Sequence, residues 1–230
     1  MASLFDPKSA PVVAYDHHLP ALAPQRLASA WLRERFLSPP AWQPDVIGDR
    51  MVPDAPKVPA SVLVPLVMRD EPTVLLTERQ PHLKAHAGQI SFPGGRSEPT
   101  DASAVHTALR EAQEEVGLDP GRVQILGTLP SYFTISGFEV TPVVGLVDVW
   151  GDPLSKLPLT PDPGEVAEVF EVPLSFLMNP GHHQRRAVEV PGSRVEFYAM
   201  PWRATDVDKE YFIWGATAAM LRNLYRFLIA

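Results

Sequence analysis

Three glutamates, Glu111, Glu114 and Glu115, stand at positions i, i+3 and i+4 of the segment GGRSEPTDASAVHTALREAQEEVGL, residues 94–118. On a helix their carboxylates share an arc of about 100°. Each like-charge pair costs a helix on the order of 0.2–0.5 kcal/mol, and a place in the last turn, ahead of a Gly117 cap, sets them against the negative end of the helix dipole. Stability alone would favour lysine there. A solvated acidic face is the ordinary reading of such a cluster. The chemical reading is a hard divalent cation, because Mg²⁺ takes carboxylate oxygens and bridges them to substrate phosphates. Arg110, beside the first carboxylate, can pair with a glutamate and fix its orientation. Gly94-Gly95, ahead of the helix, let the backbone turn sharply and bring a carbonyl to the same ion.

The helix that positions these groups is expected over Ala102–Val116, with Val105, Leu109, Ala112 and Val116 on an apolar stripe about 60° wide and Glu115 nearest its edge. Around it the pattern is strand-like. Ser61–Met68 and Thr73–Thr77 read as a hairpin across the turn Arg69-Asp70-Glu71-Pro72, and further strands are expected near Val123–Leu129, Val140–Trp150 and Ala167–Val172. A strand pair near Val188 and Val195–Tyr198 follows, then a helix over Ile213–Leu228. Strands joined mostly as hairpins, with two helices inserted, predict an α+β domain whose sheets are covered by helices. One more helix is expected at Pro24–Phe36, where Leu27, Ala30, Trp31 and Leu32 share a face. The stretch from Ser38 to Pro59 contains six prolines, so residues 1–59 read as a helical arm with a Pro-rich connector, and residues 60–230 as the main domain.

Composition narrows the function. The chain has 230 residues, 45% of them hydrophobic, enough for a substantial core. Its 26 prolines are roughly double the usual share of about 5%, which favours fixed turns over long helices. The absence of cysteine excludes disulfides, thiolate metal sites and thiol nucleophiles. A net charge of −7 argues against a sequence-independent grip on nucleic acid. No apolar run approaches the roughly 18 residues of a membrane span, and the N-terminus MASLFDPKSAPVV lacks a secretory pattern, so a cytoplasmic protein is expected.

Gly95 followed by REAQEEVGL resembles the Nudix box, the metal-binding loop and helix of Nudix hydrolases. In that pattern an acidic residue lies six positions after the glycine, where Asp101 stands here, and the Arg-Glu pair eight positions later; Arg110 and Glu111 come one residue late. A one-residue insertion is what the coenzyme A pyrophosphatase branch shows. LLTERQPHLKAHAGQISFPGG, residues 75–95, resembles that branch's second signature, with Arg79, Lys84, Gly88 and Phe92-Pro93-Gly94-Gly95 in register. Gln80 stands where Ser or Ala is usual, and Lys84 replaces an Arg, which trades a planar bidentate donor for a point charge. Weaker similarity runs through TPVVG (141–145), EVFEVPLSFL (168–177) and IWGATA (213–218).

The resemblance implies a Nudix fold, with mixed and antiparallel sheets sandwiched between α-helices. It implies hydrolysis of the diphosphate of coenzyme A or its derivatives, with Mg²⁺ or Mn²⁺, to 3′,5′-ADP and 4′-phosphopantetheine. The alternatives are a Nudix pyrophosphatase for ADP-ribose or NADH and a catalytically silent module, for which the box glutamates should be lost. Carried over to this chain, the metal cluster is Glu111, Glu114 and Glu115 with a carbonyl of Gly95 or Gly94, and Arg110 orients it. Glu111 is also a candidate to orient or deprotonate the attacking water. A further carboxylate is sought in PDPGEVAE, where Glu165 is favoured over Asp162. Arg79 and Lys84 are the candidate substrate contacts. Phe133 and Phe138 are pocket candidates whose commoner role is core packing. His182, His183, Arg185 and Arg186 read as a basic surface loop, and His86 and His106 have no spacing for zinc. Family habit points to a homodimer.

Overall fold

A run of Val, Leu and Ala residues interrupted by single prolines favours strands buried on both faces, because such strands show continuous rather than alternating hydrophobicity. The computed structural model, which describes residues 5–49, 57–83, 86–149, 156–204 and 208–230, bears this out. Its strands are β1 (Val12–Tyr15), β2 (Val58–Val67), β3 (Thr73–Arg79), β4 (Ile90–Ser91), β5 (Gly94–Arg96), β6 (Val123–Thr128), β7 (Tyr132–Phe133), β8 (Phe138–Val147), β9 (Val166–Pro173), β10 (Gln184–Val190), β11 (Ser193–Arg203) and β12 (Glu210–Trp214). The helices are α1 (Ser29–Leu37), α2 (Ala104–Val116), α3 (Leu174–Leu177) and α4 (Gly215–Ile229), with short 3₁₀ turns between.

Two sheets form. The larger follows the path β4-β3-β2-β8-β6, with β5 also on β2, β7 on β8 and β9 on β3; the smaller runs β1-β10-β11-β12. β2 lies parallel to β8 from Val58↔Phe138 to Val67↔Val147, and β3 is antiparallel to β9 from Thr73↔Pro173 to Arg79↔Val166. The β2–β3 hairpin is real but short, pairing only Leu66↔Val74 and Val67↔Thr73. Alternation along β2, β3 and β8 sends Leu63, Val67, Leu75, Val143 and Val147 to a core beneath α2. Val64, Leu66, Val74, Leu76 and Val144 face the opposite core, which α4 and the N-terminal segment fill with Leu221, Leu224, Tyr225, Leu22, Leu27 and Leu32. The result is mixed and antiparallel sheet between helices.

Several expectations need correction. The N-terminal helix is split: Pro24–Leu27 is a 3₁₀ turn, Ala28 is extended at φ −66°, ψ 141°, and α1 begins only at Ser29. The last segment begins as strand rather than helix, since Glu210–Trp214 pairs with β11 before α4 starts at Gly215. The supposed basic surface loop is instead a 3₁₀ turn leading into β10, with His183 buried and Arg185 and Arg186 half-buried. His183 is fully enclosed and bonds the Leu177 carbonyl through Nε2 at 2.7 Å, while Arg186 donates to the carbonyls of Lys8 and Ala10. These residues, with Arg222 between Asp16 (3.1 Å) and Asp45 (2.8 Å), lock the N-terminal segment onto the body. Arg35 adds to this by donating to the carbonyls of Phe227, Leu228 and Ala230 at the chain end.

Candidate active site

The geometry of the acidic cluster follows from how α2 is fixed at its two ends. Ser103 caps the first turn, its hydroxyl accepting from the His106 N–H at 3.2 Å. At the other end Gly117 adopts φ 69°, ψ 21°, and a Cβ there would meet the Thr160 nitrogen at 2.8 Å, so only glycine closes the helix against this neighbour. The loop ahead of β9 then docks on the open helix end: Thr160 N–H donates to Val116 O and Asp162 N–H to Glu115 O, both at 2.9 Å. Asp162 is occupied in shaping that loop, its Oδ1 accepting from Gly164 N–H at 2.7 Å.

The buried side of α2 is centred differently from the expected stripe. Thr107, Ala108, Ala112, Glu115 and Val116 are buried, whereas Val105 and Leu109 are only half-buried. Glu115 therefore lies within the packed face rather than at its edge, with 7% of its side chain exposed. Gly94 N–H donates to its Oε2 at 3.2 Å, and Arg79 Nη1 lies 3.4 Å from its Oε1. Burial dominates all the same. Desolvation, reinforced by the charges of Glu165 and Glu111, pushes the Glu115 carboxyl up to about 7, against the lowering effect of Gly94 and Arg79. Burial also raises Glu111, where Arg110 opposes the shift and Glu114 and Glu165 add to it. These mutual effects place Glu111, Glu115 and Glu165 in one electrostatic cluster.

Strand β5 brings Gly94-Gly95 to this cluster by pairing with Ser61 and Val62 of β2. A Cβ on Gly95 would lie 2.6 Å from the Glu111 carboxylate carbon, so glycine is required for the loop and the helix to approach this closely. Arg110 is the hub beside them. It makes a two-pronged contact with Asp101, Nε to Oδ1 at 3.1 Å and Nη2 to Oδ2 at 3.0 Å, and reaches Glu111 at 2.9 Å, Glu114 at 2.8 Å and the Arg96 carbonyl at 3.1 Å. The guanidinium holds the Asp101 carboxyl far below the usual range, assisted by the Glu98 N–H and the Thr107 hydroxyl. The one-residue spacing change between Asp101 and Arg110 is thus accommodated with the contact intact. Asp101, read only as a motif position, is the anchor of the hub.

Among the described residues no three His, Asp or Glu side chains converge tightly enough to enclose an ion in this arrangement. Arg110 draws Glu114 to the exposed rim, and Arg79 stands between Glu115 and Glu165, 3.6 Å from the latter. The donor chemistry nevertheless fits a hard divalent cation: a buried carboxylate, two neighbouring ones that repel it, and a glycine backbone pressed against them. Arg79, a candidate substrate contact, pairs with Glu115 and Glu165 at the acidic cluster. Lys84 lies outside the described residues. Phe138 packs on the core, and Phe133 sits under Lys57, whose Nζ is 3.8 Å from the ring centre. His86 bonds Gln89 and His106 lies by Asp101, so neither joins the cluster.

The NUDIX domain model matches residues 57–190. An uncharacterized Nudix hydrolase, NudL, of Escherichia coli strain K12 is 40% identical over 165 residues, covering 72% of this chain and 80% of the relative. Its counterpart in Pectobacterium atrosepticum is 42% identical over the same shares. Among solved structures, a MutT/nudix family protein from Enterococcus faecalis aligns with a TM-score of 0.44 and 17% identity over 86% of this chain and 74% of that one.

Proposed function

The chain belongs to the Nudix hydrolase family, and on that premise we propose that it hydrolyses the diphosphate of coenzyme A or its derivatives, releasing 3′,5′-ADP and 4′-phosphopantetheine. The observation that carries the reading is the position of Arg79: the segment 75–95, whose pattern resembles that of coenzyme A pyrophosphatases, sets this arginine against Glu115 and Glu165 at the acidic cluster. The anionic diphosphate needs positive charge, which a protein of net charge −7 supplies only locally.

Glu111, Glu114 and Glu115, a carbonyl of Gly95 and the outlying Glu165 are the groups proposed to hold Mg²⁺ or Mn²⁺. When bound, the cation neutralises phosphate oxygens and lowers the cost of charge in the transition state. Glu111 is the proposed acceptor of the proton from the attacking water. The water oxygen bonds to one phosphorus, the bridging P–O bond breaks, and the bridging oxygen leaves with the other phosphate. Arg110 holds Glu111 and Glu114 in place, and Arg79 and Lys84 are the proposed contacts to the phosphates. No helix among the described residues is long and apolar enough to cross a membrane, and action in the cytoplasm as a homodimer belongs to the same proposal.

The test is a side-by-side kcat/KM comparison of coenzyme A, ADP-ribose and NADH with each cation. A clear preference for coenzyme A, abolished by chelator, is expected; preferential cleavage of either other substrate would transfer the activity to the broader Nudix pyrophosphatase reading. Glu114→Gln is expected to lose at least about tenfold in rate with an unchanged melting temperature, because the side chain is 59% exposed. An unaltered rate at saturating Mg²⁺ would remove Glu114 from the metal cluster.

A further inference from the structure

Glu165 lies on a loop, and a loop side chain serves a metal cluster only where its backbone is held. One end of that loop is tied to the end of α2 through Thr160 and Asp162. The other end meets the end of β3, where Arg79 pairs with Val166 and the next residue, Gln80, makes three hydrogen bonds to the loop. Gln80 N–H donates to the Glu165 carbonyl at 2.8 Å, extending the β3–β9 ladder by one bond. Its side-chain amide nitrogen donates to Pro163 O at 3.0 Å and to Val166 O at 3.2 Å. The amide thus spans Gly164 and Glu165, and Gly164 is the residue type with the most backbone freedom to lose. Neither serine nor alanine at position 80 could reach both carbonyls.

We propose that Gln80 is the positioning residue for Glu165: by clamping the carbonyls on either side of it, the amide fixes where this carboxylate stands relative to Glu111 and Glu115. The inference rests on the proposed place of Glu165 in the metal cluster, and its test separates the two. Mn²⁺ affinity of the full chain is measured by the electron paramagnetic resonance signal of free Mn²⁺, alongside the Mn²⁺ dependence of hydrolysis, for Gln80→Ala, Glu165→Gln and the double variant. Gln80→Ala is expected to weaken Mn²⁺ about tenfold, in the range for residues that orient metal ligands, without altering the far-UV spectrum. Glu165→Gln should weaken it at least as much, and the double variant no more than Glu165→Gln alone. If Glu165→Gln weakens Mn²⁺ while Gln80→Ala does not, the clamp is wrong and the role of Glu165 stands. If the two losses add, Gln80 acts elsewhere and the clamp is overturned. If Glu165→Gln leaves affinity unchanged, the role of Glu165 fails and the clamp with it. Should Gln80→Ala not fold, Gln80→Glu keeps the length but opposes carboxylate oxygens to the same two carbonyls, and the same outcomes decide.

Discussion

Glu115→Gln is expected to abolish turnover, by about a thousandfold or more, and at the same time to raise the melting temperature of the metal-free protein. Both effects come from one placement. Glu115 is a carboxylate on the packed face of α2, raised to about 7 chiefly by burial and further by Glu165 and Glu111. Its unfolded value is near 4.5, so between about pH 4.5 and 7 the folded chain keeps a proton that the unfolded chain gives up. This contribution to stability is complete below the unfolded value and is lost as pH rises through the folded one, amounting to roughly 3 kcal/mol in all. Glu111 acts with the same sign. Glutamine still accepts from Gly94 N–H but carries no charge to desolvate. Melting curves in chelator from pH 5 to 8 should therefore fall for the wild type and fall much less for the variant, with the gap widest at pH 8. Saturating Mg²⁺ or Mn²⁺ should stabilise the wild type most at pH 8, where the carboxylates are ionised. A variant that melts lower than wild type at pH 8 would show that Glu115 serves the fold rather than the chemistry.

Arg110→Lys is expected to cost about 10- to 100-fold in kcat and to lower the melting temperature, although charge is conserved. One guanidinium serves Asp101 with two prongs, both Glu111 and Glu114, and the Arg96 carbonyl. An ammonium has no fixed fork and cannot keep this set in one plane. Asp101, whose side chain is 2% exposed, would then lose its paired donors, and Glu111 would lose the contact that sets its orientation. Asp101→Asn should reproduce part of the kinetic loss, since it weakens the same anchor from the other side. Equal rates for Arg110 and Lys at this position would show that only charge matters here.

The sequence made the helix of the site readable because its periodicity, its glycine stop and its acidic cluster are all local signals. Helix α2 ends at Val116 as expected and begins two residues later than expected, at Ala104, after the Ser103 cap. What stayed hidden depended on pairing across long separations. The approach of Arg79 to Glu165 and the Gln80 bonds to Pro163 and Val166 arise from the antiparallel register of β3 and β9, which no local pattern encodes. The parallel pairing of β2 with β8 was missed for the same reason, and β4 and β5 are too short to leave a period. Misplacement of Glu115 at the edge of the apolar stripe has another cause. Ala108 and Thr107 carry too little apolar surface to enter the stripe, yet their small side chains permit the close packing that turns this side of α2 inward. The sequence pattern carries the final helix back over Ile213 and Trp214 because apolar runs at an element boundary fit both periods.

The most direct test is to incubate the purified full chain with coenzyme A and Mn²⁺ in ¹⁸O-enriched water and to identify both products by mass. Release of 3′,5′-ADP and 4′-phosphopantetheine in equal amounts, with one labelled oxygen per cleavage and none when Glu115 is replaced by glutamine, is the expected result. Coenzyme A recovered intact with either cation, or shortened only by its 3′-phosphate, would contradict diphosphate hydrolysis of this substrate at the Glu111–Glu115–Glu165 cluster.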